Sequence, residues 1–237
     1  MYYGAISRLY SHIFFTFQVL WRACVMKKKL LSLVLAILLV TSLSLSALAT
    51  SGFNKSVFDG AADISTKSDD MSGSFSAYST SLIGAKSNIS TSASSYVSVF
   101  PIVSSSDNFD MYTISMTYYA KDWAFINKII IKIGDNRYNL SDFYVSRDVK
   151  KNATIQEYCS FSVTNQLLPM MQDLIDHRDE EIKVRLDGSK GNIDFVLTDD
   201  IKNAMINLYN LYVAGGGLNK ENLDYISVAD PTVLEIK

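Results

Sequence analysis

The sequence predicts an α+β fold: a mostly antiparallel sheet with a C-terminal helix–hairpin–helix unit, its two helices packed on one face. Three observations predict it. Strand-like stretches dominate the chain up to about residue 163, helical apolar patterns appear only after that point, and a hairpin pattern at Glu181–Thr198 separates two of them. Because no strand–helix–strand alternation repeats, the sheet is expected to be antiparallel.

The N-terminal region has the pattern of a bacterial secretory signal peptide at residues 26–49. Three lysines follow Met26, an apolar stretch runs from Leu30 to Val40, and Ala47-Leu48-Ala49 gives a small-x-small cleavage site. A retained membrane anchor is the alternative interpretation. Residues 1–25 precede a leader that has its own methionine, so we expect translation to begin at Met26 and residues 1–25 to be an over-extended N-terminus.

Two segments are expected after the leader. Residues 50–70 are rich in serine and threonine and predict a flexible start. Residues 71–237 predict a single α+β domain, since the 188 residues left after cleavage suffice for one hydrophobic core. Its first clear strand is 96–103, where Pro101 is expected to mark an edge or an end.

The middle of the chain predicts two further strands and a hairpin. Tyr112–Tyr118 alternates apolar and hydroxyl residues, and Ile126–Ile133 is rich in β-branched residues. A turn at 134–137 leads into a return strand that begins at Tyr138. Residues 143–145 are expected to continue the sheet, 147–152 to form a polar loop, and 154–163 to form another strand.

The C-terminal third predicts the helix–hairpin–helix unit. Its first helix is expected to begin near Pro169, which lacks an amide proton. In the hairpin, Ile182, Val184 and Leu186 alternate with charged residues, so Arg185 is expected on the face opposite the aliphatic side chains. Thr198 is expected to cap the second helix and the glycines at 215–217 to end it. Residues 218–237 are expected to be a tail with a last short strand.

Charge and cysteine content restrict the class of partner. Residues 1–49 contain five of the 22 basic residues and none of the 24 acidic ones, so the mature chain that begins at Thr50 has a formal net charge of −7. An acidic chain argues against nucleic acid or an anionic membrane as the main partner. Cys159 is then the sole cysteine, which excludes an internal disulfide, and its strand-like surroundings predict a small residue that is buried or at an edge.

The chain lacks a recognisable catalytic or metal-binding motif. Asp173 and His177 share a helix face, but two ligands do not make a zinc site, so no metal and no cofactor are expected. A Cys159–His177 pair has no supporting motif, and no Gly-x-Ser-x-Gly elbow is present. Adjacent acids such as Asp199-Asp200 and Glu180-Glu181 are compatible with a glycan hydrolase, although helix capping explains such pairs more simply.

Aromatic residues are the one surplus, and they supply the candidate contacts. Tyr118, Tyr119 and Trp123 cluster in the sequence, and aromatic rings stack on sugars or anchor protein partners. Aromatic side chains also fill cores, and that interpretation is favoured for most of them. Arg185 is a candidate anchor for a carboxylate, with an ordinary solvated charge as the alternative.

The sequence therefore predicts an exported bacterial domain, secreted or extracytoplasmic, that binds a protein or an envelope polymer without catalysing a reaction. A carboxylate-dependent hydrolase of cell wall or glycan is the alternative, and a self-assembling structural protein is the second alternative. The sequence does not indicate the ligand or the oligomeric state.

Overall fold

The computed structural model describes residues 52–107 and 109–237, and confirms an α+β fold with antiparallel sheets. The first sheet, sheet A, contains β1 (Ile64–Asp69), β2 (Ser74–Ser79), β3 (Asn88–Ser92), β4 (Ser95–Ser105), β5 (Asp110–Ala120), β8 (Tyr144–Val149) and β9 (Ile155–Ser162). The second, sheet B, contains β6 (Ile126–Ile133), β7 (Asn136–Ser141), β10 (Lys183–Gly188), β11 (Gly191–Val196) and β12 (Val233–Ile236). The α-helices of the described region are α1 (Leu168–Asp176), α2 (Asp199–Ala214) and α3 (Lys220–Ala229).

Sheet A has the strand order β1-β2-β4-β5-β9-β8, and β3 pairs with the first half of β4. Pro101 lies inside β4 and not at its end. It falls between the part of β4 that pairs with β3, up to Ser98, and the part that pairs with β2, from Ile102. At Pro101, β4 therefore pairs with β5 on one side and has no partner strand on the other. A missing amide proton is tolerated at such a position.

Sheet B joins two hairpins that the sequence predicts separately. Its order is β11-β10-β6-β7-β12, so the hairpin β6–β7 and the hairpin β10–β11 meet where β6 pairs with β10. Lys183 on β10 lies opposite Lys132 on β6, and Asp187 lies opposite Lys128. This pairing brings together residues about 50 positions apart in sequence and places their exposed side chains on one face of sheet B.

Two segments differ from the sequence-based expectation. Residues 147–149, expected in a polar loop, belong to β8, because β8 pairs with β9 from Tyr144 to Val149. Residues 220–229, expected in a tail, form α3. The side chain of Asn219 caps this helix by accepting a hydrogen bond from the amide of Asn222 at 2.8 Å. The expected last strand is present as β12.

Residues 52–70, expected to be a flexible start, carry defined structure over part of their length. A 3-10 helix spans Lys55–Phe58, and the ring of Phe58 is buried. Strand β1 follows and pairs with β2 along its whole length. Burial of an aromatic ring supplies a packing contribution that the serine and threonine content of this stretch does not reveal.

The core lies between the inner faces of the two sheets and α2, which contacts β2, β4 and β5. Thr198 caps α2 by accepting a hydrogen bond from the amide of Ile201 at 3.4 Å, and Gly216 has a φ of +89° just after the helix ends. The hydroxyl of Tyr112 in β5 donates to the carbonyl of Met205 in α2 at 2.8 Å. These contacts fix the main helix against sheet A.

A buried carboxylate holds the two sheets together. Glu157 on β9 has no exposed surface, and its side chain accepts hydrogen bonds from the amides of Ala124, Phe125 and Ile126 at 2.6, 3.0 and 2.9 Å. These amides belong to the segment that passes from sheet A into sheet B. The guanidinium of Arg147 donates to the same carboxylate at 3.1 Å and to the carbonyl of Ile126 at 2.8 Å.

Gly52–Lys237 forms one compact unit. In the part of the chain that the structure describes, we find no helix that combines the length and the apolar character needed to cross a membrane. The predicted signal peptide at 26–49, its cleavage site at Ala47 and Ala49, and the predicted over-extension at 1–25 lie outside the described residues.

Candidate functional site

The open face of sheet B, meaning the side that faces away from the core, is the strongest candidate site. Residues directly opposite each other on paired strands share a face, so the register defines which side chains meet. Ile129, Ile131 and Ile133 of β6 are buried on the core side, while Ile130 is half-buried and Lys132 is exposed on the open side. No helix of the described region covers this open side.

Four basic residues form a line across this face. Three lie on the neighbouring strands β10, β6 and β7, and the fourth follows directly after β12. We call them the cation row: Lys183, Lys132, Arg137 and Lys237. Lys183 lies opposite Lys132, and Lys132 lies opposite Arg137. Arg137 and Lys237 exchange two backbone hydrogen bonds of 2.9 Å, which makes them directly opposite as well. Like charges in directly opposed positions destabilise a sheet.

The two ends of the cation row have carboxylate partners close by. Lys183 pairs with Glu181 at 2.9 Å, and this carboxylate raises the pKa of the Lys183 ammonium. Lys237 lies 3.9 Å from Glu235. Within the described region, the two central residues, Lys132 and Arg137, form no ion pair. We call them the central pair; they are the members of the cation row whose positive charge no ion pair compensates.

A shallow groove of ≈ 580 Å³ runs beside the cation row. Its polar rim contains the central pair, and aliphatic surface is supplied by Ile130 and by Val196, which is 40% exposed. A surface that combines basic groups with aliphatic side chains can bind an anionic ligand that also has apolar parts.

Arg185, the predicted carboxylate anchor, lines the same groove, and its carboxylate partner belongs to the protein itself. Its guanidinium donates to both oxygens of Asp194 on β11, at 2.6 and 2.7 Å. This bidentate pair raises the pKa of Arg185 and lowers that of Asp194. The Arg185 side chain is 43% exposed, so a ligand can still reach the guanidinium and compete for it.

The outer face of sheet A has a different character. Tyr119 stacks on Tyr96 with ring centroids 4.7 Å apart, and burial against this neighbour raises the pKa of Tyr119. Two more aromatic pairs, Tyr78–Phe100 and Tyr144–Tyr158, lie on the same face, with serine and threonine side chains between them. The predicted contact residue Tyr119 is thus on a face separate from Arg185.

The other two predicted contact residues are elsewhere. Tyr118 points to the opposite side of β5 from Tyr119 and packs against the core, where burial raises the pKa of its hydroxyl. Trp123 is half-buried in the segment between β5 and β6, with its ring centroid 6.0 Å from that of Phe125. The structure therefore does not bring Tyr118, Tyr119, Trp123 and Arg185 into one site, and their role as contacts stays a prediction.

A second cleft of ≈ 440 Å³ lies between β5, β8, β9 and α3. Phe109 and Tyr225 stack across it with ring centroids 5.6 Å apart. Asp142 and Asp230 both line this cleft, and Asp230 accepts hydrogen bonds from the amide of Ser162 at 2.7 Å and from the hydroxyl of Thr232 at 2.6 Å. Asp230 thus anchors the segment after α3 to β9 through hydrogen bonds within the protein.

The residues considered for catalysis have other partners. Cys159 is fully buried, which raises its pKa to about 12 and confirms the buried alternative of the prediction. His177 pairs with Glu180 at 2.9 Å. Asp199 pairs with Lys202 at 2.9 Å. Among the described residues, no group of three or more histidine, cysteine or acidic side chains is arranged to hold a metal ion.

Sequence reasoning missed the cation row, although part of it was within reach. The turn at 134–137 fixes the β6–β7 register, and from that register Lys132 and Arg137 follow as neighbours. The pairing of β6 with β10 leaves no comparable local signal, so the position of Lys183 beside Lys132 required the structure.

Comparisons of this chain with protein-family models, with curated proteins and with solved structures gave no match in any of the three.

Proposed function

We propose that this protein is an exported, non-enzymatic binding domain that holds an anionic partner of the cell envelope or its surroundings against the open face of sheet B. The observation that carries the proposal is the cation row, and above all the uncompensated central pair, Lys132 and Arg137. A chain with a formal net charge of −2, or −7 without the leader, concentrates four basic residues in one line.

Three features support binding in preference to catalysis. The groove is shallow and open, whereas sites that exclude water from a reaction are usually enclosed. The acids that line it, Glu181 and Asp194, are exposed and paired with Lys183 and Arg185. Basic groups that surround an anion attract it over distance and fix it by hydrogen bonds, without any chemical step.

The predicted helix–hairpin–helix arrangement, with both helices on one face, belongs to this proposal. In it, the core side of the β10–β11 hairpin packs into the same hydrophobic core as α1 and α2, so that the opposite side stays available to a partner. Ile182, Val184 and Leu186 are fully or almost fully buried, which supports this role for the core side of β10.

Export through the segment at 26–49 is proposed on the sequence pattern. Intact-mass analysis of the protein recovered from the host medium and envelope tests it. We expect a chain that begins at Thr50. A peptide from residues 2–25 in the host would contradict the proposed start at Met26, and a mature chain that retains the leader would favour a membrane anchor.

Cosedimentation with isolated host envelopes tests the binding function. We expect the purified protein to sediment with envelopes at 50 mM salt and to be released at 500 mM salt, because screening weakens exposed charge interactions. The double variant Lys132→Thr/Arg137→Thr should stay in the supernatant, while Lys128→Thr, on the same face of β6, should sediment like the parent protein. Equal sedimentation of both variants would overturn the proposal.

A further inference from the structure

We infer that the ligand of the open face of sheet B is a phosphodiester polymer with a small polyol repeat, which lies across the strands along the cation row. This inference rests on the proposed function and adds the chemical class of the ligand. It follows from the direction of the row, from the distribution of compensating carboxylates, and from the side chains next to the row.

The direction of the row indicates a linear ligand. Neighbouring strands are about 4.8 Å apart, so four cations on consecutive strands cover about 14 Å at right angles to the strands. A single small anion can contact two of these groups at most. A chain with repeated negative charges can contact all four, and each contact after the first is intramolecular and therefore favoured.

The distribution of carboxylates indicates where such a chain is held most firmly. Lys132 and Arg137 have no carboxylate to displace, whereas Glu181 competes at one end of the row and Glu235 at the other. Binding is therefore centred on the central pair. The neighbouring like charges destabilise the empty sheet, and an anion between them removes that repulsion.

The nature of the charged group follows from the donors. Arg137 offers a planar guanidinium and Lys132 a compact ammonium, a combination suited to phosphate oxygens. Peptides that bind sheets usually add a strand at an edge, with backbone hydrogen bonds along it. The cation row instead crosses the sheet from β10 to β12 at right angles to its strands, which is unfavourable for an acidic peptide bound in that manner.

The neighbouring side chains argue for a polyol and against a nucleic acid. Single-stranded nucleic acids are bound through aromatic rings on which bases stack. The groove beside the row has one ring, Phe195, which is 7% exposed and belongs to the core. Its exposed apolar surface is aliphatic and comes from Ile130 and Val196, which fits the carbon chain between phosphates.

Binding of poly(glycerol phosphate) to the purified protein, measured by isothermal titration calorimetry, tests the inference. We expect saturable binding that weakens by about tenfold between 50 and 200 mM salt, as expected when the two contacts at the central pair release counterions and the end cations stay paired with Glu181 and Glu235. Monomeric glycerol phosphate should bind at least tenfold more weakly per phosphate. The Lys132→Thr/Arg137→Thr variant should lose at least tenfold in affinity, and the single variant Lys128→Thr, on the same strand but outside the cation row, should stay within twofold of the parent.

The outcomes separate this inference from the proposed function. Tighter binding of poly-glutamate or of single-stranded DNA, lost in the same double variant, would overturn the polyol phosphate inference and leave the proposed binding face in place. A concentration-dependent mass that the double variant abolishes would show that a second copy of the chain occupies the face, and would overturn the inference. Failure of the double variant to change the binding of any anionic polymer would overturn both.

Discussion

The cation row implies that Lys132 lowers the free energy of unfolding of this protein, and replacement of Lys132 tests this prediction. Lys132 lies directly opposite Lys183 on one side and Arg137 on the other. Each like-charge opposition destabilises a sheet by a few tenths of a kcal/mol up to about 1 kcal/mol. Threonine also has a higher strand preference than lysine. We expect Lys132→Thr to raise the free energy of unfolding by about 1 kcal/mol, which raises Tm by about 2–4 °C.

Lys128→Thr is the matched control for this substitution. Lys128 lies on the same strand and the same open face, but Asp187 is directly opposite it. The two variants change the same residue types and the same net charge, so the change in strand preference is shared and the difference between them reports the charge environment. At low salt we expect Lys132→Thr to be more stable than Lys128→Thr by about 1 kcal/mol.

Urea unfolding at 25 °C, followed by circular dichroism at 10 mM and 1 M salt, measures this difference. The Debye length falls from about 30 Å to about 3 Å over that range, so the difference between the variants should shrink by more than half. A destabilised Lys132→Thr protein, or a difference that salt does not change, would refute the claim that repulsion within the cation row lowers the stability of the parent protein.

Three further predictions concern the fold and its pH dependence. Glu157→Gln should lower the free energy of unfolding by about 3 kcal/mol, because the NH₂ group of the glutamine would face buried N–H donors that donate to the carboxylate in the parent protein. Chemical denaturation measures this change, and a loss below about 1 kcal/mol would contradict the prediction. Gly188→Ala should destabilise by about 1–3 kcal/mol because a Cβ there overlaps the carbonyl oxygen of Ala124, whereas Gly191→Ala, with open space at its Cβ, should be nearly neutral in the same assay. His177, whose hydrogen bond to Glu180 raises its pKa, should contribute stability that is complete below about pH 6.5 and is lost as the pH rises through its folded-state pKa. That step in a plot of stability against pH should be missing in His177→Gln, and its persistence would exclude His177 as the source.

The sequence predicted the strands and helices whose signals are local. Alternation identified β5, β6 and β10, and the cap at Thr198 together with the glycines after Ala214 placed α2. Each of these signals depends on neighbours within one or two turns or one strand, which is why they can be recognised without tertiary contacts.

The elements that sequence reasoning missed depend on contacts made over long distances. Half of the ten residues of α3 are apolar, but the helix is also held by Asn222, whose side chain donates to the carbonyl of Asp110 at 2.7 Å, 112 positions away. The second half of β8, residues 147–149, begins with two charged residues and owes its place to pairing with β9. Such stabilisation leaves little trace in the local composition of either segment.

The candidate site illustrates the same division. Alternation within β10 indicated that Arg185 faces away from the core, as the structure confirms. The cation row required the register between β6 and β10 and between β7 and β12, which no local pattern encodes. The net acidic composition also gave no indication of a line of four basic residues. Composition counts all charges together, whereas the fold places acidic and basic residues on different faces.

Methyl NMR during titration with poly(glycerol phosphate) tests most directly whether the open face of sheet B is the binding face. Ile130 and Val196 lie on the open face, while Ile129, Ile131 and Val184 lie on the core face of the same strands or of their neighbour. We expect the methyl signals of Ile130 and Val196 to shift with saturation and those of the core residues to change far less. Unchanged signals from Ile130 and Val196, with shifts confined to residues around Tyr119 on sheet A, would contradict the account.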